Sequence, residues 1–379
     1  MSSTPHSVFK TEKGNTTLEV YTAQEMPARA KRPSHVQPSR PKPDPQLHCV
    51  GPDTLVAMRA VVIPRFGGPE VLQVRDVPKP IPSADEVLVK VEAAGMNFAD
   101  VLTVSGGYPG LPSPPIIAGR EFAGQVDGTG ERVMGYAQSS AFGEFIAASR
   151  RLLWPVPRQW TAEQAAAFPV NYFTAYLAYW KASLTDRPRG APARVLIHAV
   201  AGGVGTAAVE IGKLLGIEMY GTSSSEEKLA RVRQLGLDHG INYKQRDYEE
   251  AISELTGGDG VDVVFEMLGG KHLSKSIRCL RELGRIISYG AVTGEQAQLD
   301  PRLLYQRATS VHGLWLTQLC HNRDLMSSAW QPLGRWAIEG KLSPVVGHTL
   351  PLAEVGKAYR LLLGGKNFGK VVLQIASPS

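Results

Sequence analysis

From Met58 onward, apolar residues fall in short runs and alternations broken by Gly and Pro. RAVVI (59–63), VLQV (71–74) and EVLVKVEAAG (86–95) read as strands between turns. TAEQAAAFPVNYFTAYLAYW, Thr161 to Trp180, has helical spacing on both sides of Pro169. Thr161 with Gln164 predicts a capping box at its start. Beyond it, strand and helix patterns alternate. Strands are predicted at RVLIHAV (194–200), EMYGTS, GINY, VDVVFEML, GRIISYG and SVHGLWL (310–316), with helices between them. Such alternation predicts a parallel sheet covered on both faces by helices. Ala329–Glu339 and Leu352–Leu363 are expected as helices, and Lys370–Ile375 as a closing strand.

Residues 1–57 follow a different pattern. They are rich in proline, as in PSRPKPDP (38–45), with few apolar residues and no sustained period. This predicts a disordered or extended arm. Glu12, Glu19 and Glu25 argue against a mitochondrial targeting peptide. The 379 residues exceed one typical core, so two further domains are expected. No apolar run is long enough for a transmembrane helix. The three cysteines, Cys49, Cys279 and Cys320, are scattered, which predicts a reducing compartment and a cytoplasmic location. Net charge is +6, but the basic residues are interleaved with acids along the chain. That predicts a solvated surface rather than a nucleic-acid footprint.

The most informative segment is RVLIHAVAGGVGTAAVEIGKLLG, Arg194 to Gly216. It reads as a strand, a turn at Gly202-Gly203-Val204-Gly205, and a helix with apolar Ala207, Ala208, Ile211, Leu214 and Leu215. A backbone without Cβ atoms can approach a pyrophosphate, and the helix start offers free N–H groups. This is the physics of a dinucleotide site; taken alone, the same turn is also a plain helix entry. Eighteen residues past Gly205, an NAD site wants a carboxylate on the ribose 2′-hydroxyl. Here the position is Ser223, followed by Ser224, with Lys228 close behind. Hydroxyls and an ammonium suit a 2′-phosphate, so NADPH is the expected cofactor.

These motifs, AGGVG, GTSSSEEK (221–228) and LGLDHGINY (235–243), resemble the medium-chain dehydrogenase/reductase superfamily. The branch most similar is the zinc-independent quinone oxidoreductases. The resemblance runs from Met58 to Ile375 and includes AAGMNFADV (93–101), GGYPGLPSPPIIAGREFAG (106–124) and NFGKVVLQI (367–375). It implies an α/β chain with a GroES-like β-rich catalytic domain, 58–167 and 317–379. A Rossmann doubly wound parallel-sheet domain, 168–316, would hold the cofactor. It also implies a homodimer through the edge strand Ser310 to Leu316. QVDGTGE (125–131) is shorter than the family usually has before its G-D-R-V segment, which trims a loop.

By the same resemblance, Asn97 lies by the nicotinamide ribose, or else it only closes a turn. Tyr108 lines the substrate side as a hydrogen-bond or proton donor, or else covers the core from its turn. Tyr243 flanks the adenine ribose phosphate, Tyr289 and Gly290 face the nicotinamide, and Asn367 and Lys370 approach the cofactor. Lys370 has a second reading, as a solvent-facing lysine on an edge strand. His198 reads as a satisfied sheet-end histidine.

Zinc relatives place Cys and His ligands where this chain has Asn97-Phe98 and Arg120-Glu121. Zinc needs Cys, His or carboxylate donors, and Glu121 alone does not make a site, so no metal is expected. Without a Lewis acid, an alkoxide has nothing to stabilise it. A quinone or conjugated carbonyl delocalises the developing charge itself, so the expected partner is a small-molecule conjugated acceptor. Two alternatives stay open. One is an enoyl-thioester reductase, although relatives of that kind carry a tyrosine where NFAD has Phe98. The other is an NADPH-binding protein with little catalysis.

Overall fold

The computed structural model describes residues 6–12, 15–21, 56–186 and 193–375. In the expected arm, His6–Glu12 and Asn15–Tyr21 are paired antiparallel strands, with Glu12 opposite Asn15. Of the disordered or extended arm that was expected, these two segments are extended and paired. HSVFKTE and NTTLEVY carry β-branched and aromatic residues, which favour strands. The rest of that expectation, Cys49 included, lies outside the described residues.

The cofactor half is a six-stranded parallel sheet. Its spatial order is His239–Asn242, Glu218–Ser223, Arg194–Ile197, Val261–Glu266, Leu280–Ser288, Ser310–Gly313. The chain order therefore reverses between Arg194–Ile197 and Val261–Glu266, the crevice in which such sheets bind ligands. Leu196, Val264 and Ile286 on these central strands are fully buried, as strands covered on both faces must be. The predicted strand 310–316 ends at Gly313, and Leu316–Leu319 is a short helix. Gly313 is exposed at the end of the sheet's edge strand, where the ladder has no further partner among the described residues.

The other half is a seven-stranded, mostly antiparallel sheet. Its path runs Leu153–Pro155, Arg132–Tyr136, Glu121–Val126, Glu86–Met96, Lys370–Gln374, Val346–Pro351, with Phe145–Ser149 also on Glu86–Met96. Lys370–Gln374 is an interior strand, so the edge-strand reading of Lys370 is corrected. A three-stranded sheet, Gln73–Pro78, Ala57–Ile63 and Ile116–Ile117, completes this half.

Helices Ala162–Ala166 and Pro169–Lys181 join the halves. Thr161 and Gln164 make both bonds of the capping box, and Pro169 opens the second helix, where its missing N–H is harmless. The helix expected from Ala329 begins at Arg323, because Asn322 caps it by accepting the Leu325 N–H. Its Trp330 packs on Trp154, Phe168 and Phe173. Each such aromatic pair adds about 1 kcal/mol beyond simple burial. This cluster pins the connecting helix to the catalytic sheet and to helix Arg323–Ile338, while Tyr179 of the connecting helix packs on Phe265 of the parallel sheet.

Candidate active site

The glycine turn meets its geometric requirements one residue at a time. A Cβ on Gly205 would lie 2.5 Å from the Val200 carbonyl and 2.6 Å from that of Ala199, so only glycine lets the helix pack there. At Gly203 a Cβ would sit 2.6 Å from Asn171 Nδ2, whereas Gly202 faces open space apart from the Ala199 carbonyl at 3.2 Å. Ala199, just before the turn, holds φ at 49°, a strained value for a non-glycine residue. Gly202 caps helix Gly203–Leu215, whose first N–H groups point into the crevice. Val204 packs against the core. The residues present thus fit a dinucleotide pyrophosphate.

Ser223 ends the strand next door, and Ser225 caps the following helix by accepting the Lys228 N–H. The Lys228 ammonium donates to the Gly365 carbonyl at 2.5 Å, which ties this corner to the returning loop. Burial lowers the Lys228 pKa, and the nearby cations Arg231 and Lys244 push the same way against Glu227. Arg231 stacks over Phe368 at 3.6 Å. Arg231 and Lys244 went unnoticed in the sequence, although Arg231 follows Lys228 by one helical turn. Tyr243 is half exposed, and its N–H is held by the Ser223 carbonyl. Ser224 lies between Ser223 and the cap.

Tyr289 donates its N–H to Glu266, so Tyr289 and Gly290 stand at the carboxyl end of the sheet beside Met267. Glu266 is fully buried, and it accepts from the N–H groups of Leu268 and Gly269. Burial raises its carboxyl pKa. His198 is satisfied by Thr222 and Ser276, each at 3.0 Å, and burial drives its pKa down to about 3. It stays neutral and structural, as the sequence suggested.

Asn97 caps helix Phe98–Ser105, with its N–H on Asp100 at 2.8 Å. Its side chain lies in a buried polar network. Asn97 Nδ2 donates to Glu121 Oε1 at 2.7 Å, and Lys370 Nζ donates to Asn97 Oδ1 at 2.6 Å. Lys370 also pairs with Glu121 and reaches Asn171 Oδ1 at 3.3 Å. The second Glu121 oxygen accepts the Val170 N–H at 2.8 Å. Glu121 is 0% exposed and Lys370 2%. Gly95 makes room, since a Cβ there would meet the Ala166 carbonyl, Lys370 and Glu121 within 2.8 Å. Lys370 therefore stands behind Asn97 and fixes its amide.

The turn before Lys370 touches the glycine turn directly. The Gly369 N–H donates to Ala201 at 2.8 Å, and Asn367 donates to the Gly369 carbonyl at 3.0 Å. The Tyr108 ring lies against Arg120, the sequence neighbour of Glu121. Asp100, Arg120, Asn171 and Gly95 were not singled out as functional by sequence reasoning.

Two family models match: an alcohol dehydrogenase GroES-like domain over residues 83–156 and a zinc-binding dehydrogenase over 203–335. The quinone oxidoreductase of Homo sapiens is 31% identical over 328 residues, 83% of this chain and 97% of its own. The chain belongs to the medium-chain dehydrogenase/reductase superfamily, in its quinone oxidoreductase-like branch. The solved quinone oxidoreductase of Thermus thermophilus, described also in complex with NADPH, is 36% identical. It matches with a TM-score of 0.76 over 84% of this chain and 100% of its own. The CurK enoyl reductase is 27% identical, with a TM-score of 0.76 over 84% of this chain and 99% of its own.

The chain is thus an oxidoreductase of the zinc-free medium-chain type, with a nicotinamide cofactor. Zinc does not fit its residues. The Lys370 ammonium already neutralises Glu121, and Arg120 and Asn97 offer no anionic or imidazole donor. No cluster of three potential metal ligands occurs among the described residues. No described helix is long and apolar enough to cross a membrane.

Proposed function

We propose that the protein is an NADPH-dependent reductase of quinones or α,β-unsaturated carbonyls. The observation that supports this reading is the Asn97–Glu121–Lys370 network, which offers a fixed amide and a neutralised ion pair where zinc relatives carry ligands. With no Lewis acid, the acceptor must spread its own charge. Reduced nicotinamide, when bound, supplies a hydride. The chain's part is to bind and orient. The Gly202–Gly205 turn holds the pyrophosphate, and Ser223, Ser224 and Lys228, with Arg231 and Lys244 behind them, receive the 2′-phosphate. Tyr243 flanks the adenosine end, and Tyr289, Gly290 and Asn367 line the nicotinamide end. Asn97 orients the nicotinamide ribose, Lys370 fixes Asn97, and Tyr108 offers its hydroxyl to the acceptor oxygen.

NADPH oxidation measured against quinones, enones, enoyl thioesters and simple aldehydes tests the reading. Turnover with quinones or enones above the other classes supports it, and turnover only with aldehydes refutes it. The likeness to the CurK enoyl reductase favours enoyl thioesters as a second reading, which preference for them in the same screen would select. We further propose a homodimer through the edge strand Ser310–Gly313, since an uncovered strand edge invites pairing. A monomer by light scattering at micromolar concentration would refute that.

A further inference from the structure

Three side chains from both sides of the cleft meet at Tyr108, and a fourth joins them through Thr317. Trp315 Nε1 donates to the Tyr108 hydroxyl at 2.8 Å. Thr317 Oγ1 lies 2.8 Å from the same hydroxyl, and Tyr136 OH lies 2.7 Å from Thr317 Oγ1. The Arg120 guanidinium sits over the Tyr108 ring, 3.8 Å from its centroid. Trp315 and Thr317 follow the cofactor sheet, whereas Tyr108, Arg120 and Tyr136 belong to the catalytic half.

The direction of the hydroxyl chain follows from hydrogen-bond accounting. Trp315 can only donate, so the Tyr108 oxygen accepts from it. If Tyr108 donated to Thr317, and Thr317 to Tyr136, the buried Tyr136 proton would have no acceptor among the described residues. The reverse order satisfies every buried donor: Tyr136 to Thr317, and Thr317 to Tyr108. Burial also raises the Tyr136 pKa, which keeps it a donor. The Tyr108 oxygen then accepts two hydrogen bonds, and its own proton is free to point into the cleft.

Arg120 adds charge to this arrangement. It is 3% exposed, yet its nearest carboxylate, Asp100, stands 3.8 Å from Nε, too far for a hydrogen bond. Its Nη2 donates to Thr103 at 2.9 Å. Burial pushes the Asp100 carboxyl up to about 6 against the pull of Arg120, and neither Asp100 Oδ1 nor Arg120 Nε has a hydrogen-bond partner among the described residues. Its remaining partner is the face of the Tyr108 ring.

We infer that Arg120, Thr317, Trp315 and Tyr136 are positioning residues that stabilise the Tyr108 phenolate and thereby make Tyr108 the proton donor to the acceptor oxygen. This rests on the reductase reading above. The balance is simple: as hydride from the reduced nicotinamide reaches the conjugated carbon, the C=C electron pair shifts toward the carbonyl oxygen. The Tyr108 O–H bond breaks, and an O–H bond forms on the acceptor. The phenolate left behind, held by two donors and a cation, takes its proton back from water at the half-exposed ring. The charged or titratable groups facing Tyr108 are Arg120 and Tyr136, with Asp100 behind the first and Cys320 beside the second.

The test begins without cofactor. Tyrosinate absorbance is titrated in the wild type, and the Y108F difference isolates Tyr108. In R120Q and in T317V this component should move to higher pH, and in R120K it should return toward the wild type. Turnover is then measured against pH. R120Q and T317V should lower kcat about tenfold with little change in KM for NADPH, on the scale of one lost charge-assisted contact. Their alkaline limb should shift upward, and R120Q/Y108F should be no slower than Y108F. Where R120Q does not fold, T317V, which keeps the side-chain shape, carries the same test. An unmoved Tyr108 titration in both variants overturns the inference, as does equal loss from R120Q with and without Tyr108. Full kcat in Y108F overturns the proton-donor reading itself. A slow Y108F beside unchanged R120Q and T317V overturns only the inference.

Discussion

Replacing Lys370 with methionine tests the buried network most directly. Met keeps most of the stem volume but removes the ammonium. Glu121, fully buried, then loses its counter-charge and keeps only the Val170 N–H and the Asn97 amide. Asn97 and Asn171 each lose a donor to their carbonyl oxygens. Breaking a buried pair from one side typically costs about 3–5 kcal/mol. The two surviving donors to Glu121 place this case near the low end, about 3 kcal/mol. At roughly 2 °C per kcal/mol for a body of this size, the melting temperature should fall by about 6 °C. The loss should shrink toward acid pH, where the unpaired carboxyl can be neutralised. Scanning calorimetry of K370M, E121Q and K370M/E121Q closes a double-mutant cycle. The double variant, which buries no charge, should be more stable than K370M. A melting point within about 2 °C of wild type for K370M, or a double variant no better than K370M, would refute the argument.

Ser223→Asp should reverse the cofactor preference, because a carboxylate there repels a 2′-phosphate and accepts from a 2′-hydroxyl; equal affinity of the wild type for NADPH and NADH by titration would sink the idea. Chelator treatment should leave turnover unchanged, since Asn97 and Arg120 are not zinc ligands; loss of activity restored by added zinc would count decisively against this. Glu210 accepts from Tyr172 at 2.5 Å and from the Ser343 N–H, and burial raises its carboxyl to about 7. A folded pKa above the unfolded value means stability present below the unfolded pKa, near 4.5, and lost as pH rises through about 7. Glu210→Gln should therefore gain in melting temperature relative to wild type between pH 5 and 8; a pH-independent difference would show that Glu210 does not titrate there.

The parallel sheet and the glycine turn were legible because apolar runs and glycine spacing are local signals. That the second strand ends at Ser223 was legible for the same reason. Element ends were less so. The helix start at Arg323 depends on a single cap at Asn322, and the strand at Ser310 stops three residues short because its apolar residues turn into a helix. The polar network was the least visible part. Asn97 and Lys370 were both marked, but their contact with Glu121 and Asn171 joins distant segments, and nothing local in GKVV shows that its lysine is buried. The same holds for Tyr108, whose neighbours Tyr136 and Thr317 are 181 residues apart in the chain.

The strand Lys370–Gln374 lies inside the catalytic sheet although it is the last strand of the described chain, and it pairs with residues 93–96 of Glu86–Met96, the first strand of that sheet in chain order. The nucleotide sheet, by contrast, is built from one continuous stretch, 194–313. During synthesis the nucleotide half can close on itself while the catalytic half still shows an open edge along residues 93–96. Non-local pairings of this kind form slowly and leave strand edges exposed to other chains. A ribosome stalled or a chain clipped just before residue 370 would leave a folded nucleotide-binding body attached to an unfinished, aggregation-prone sheet. Completion of the sheet and arrival of the ammonium behind Asn97 are then one event in the life of the chain.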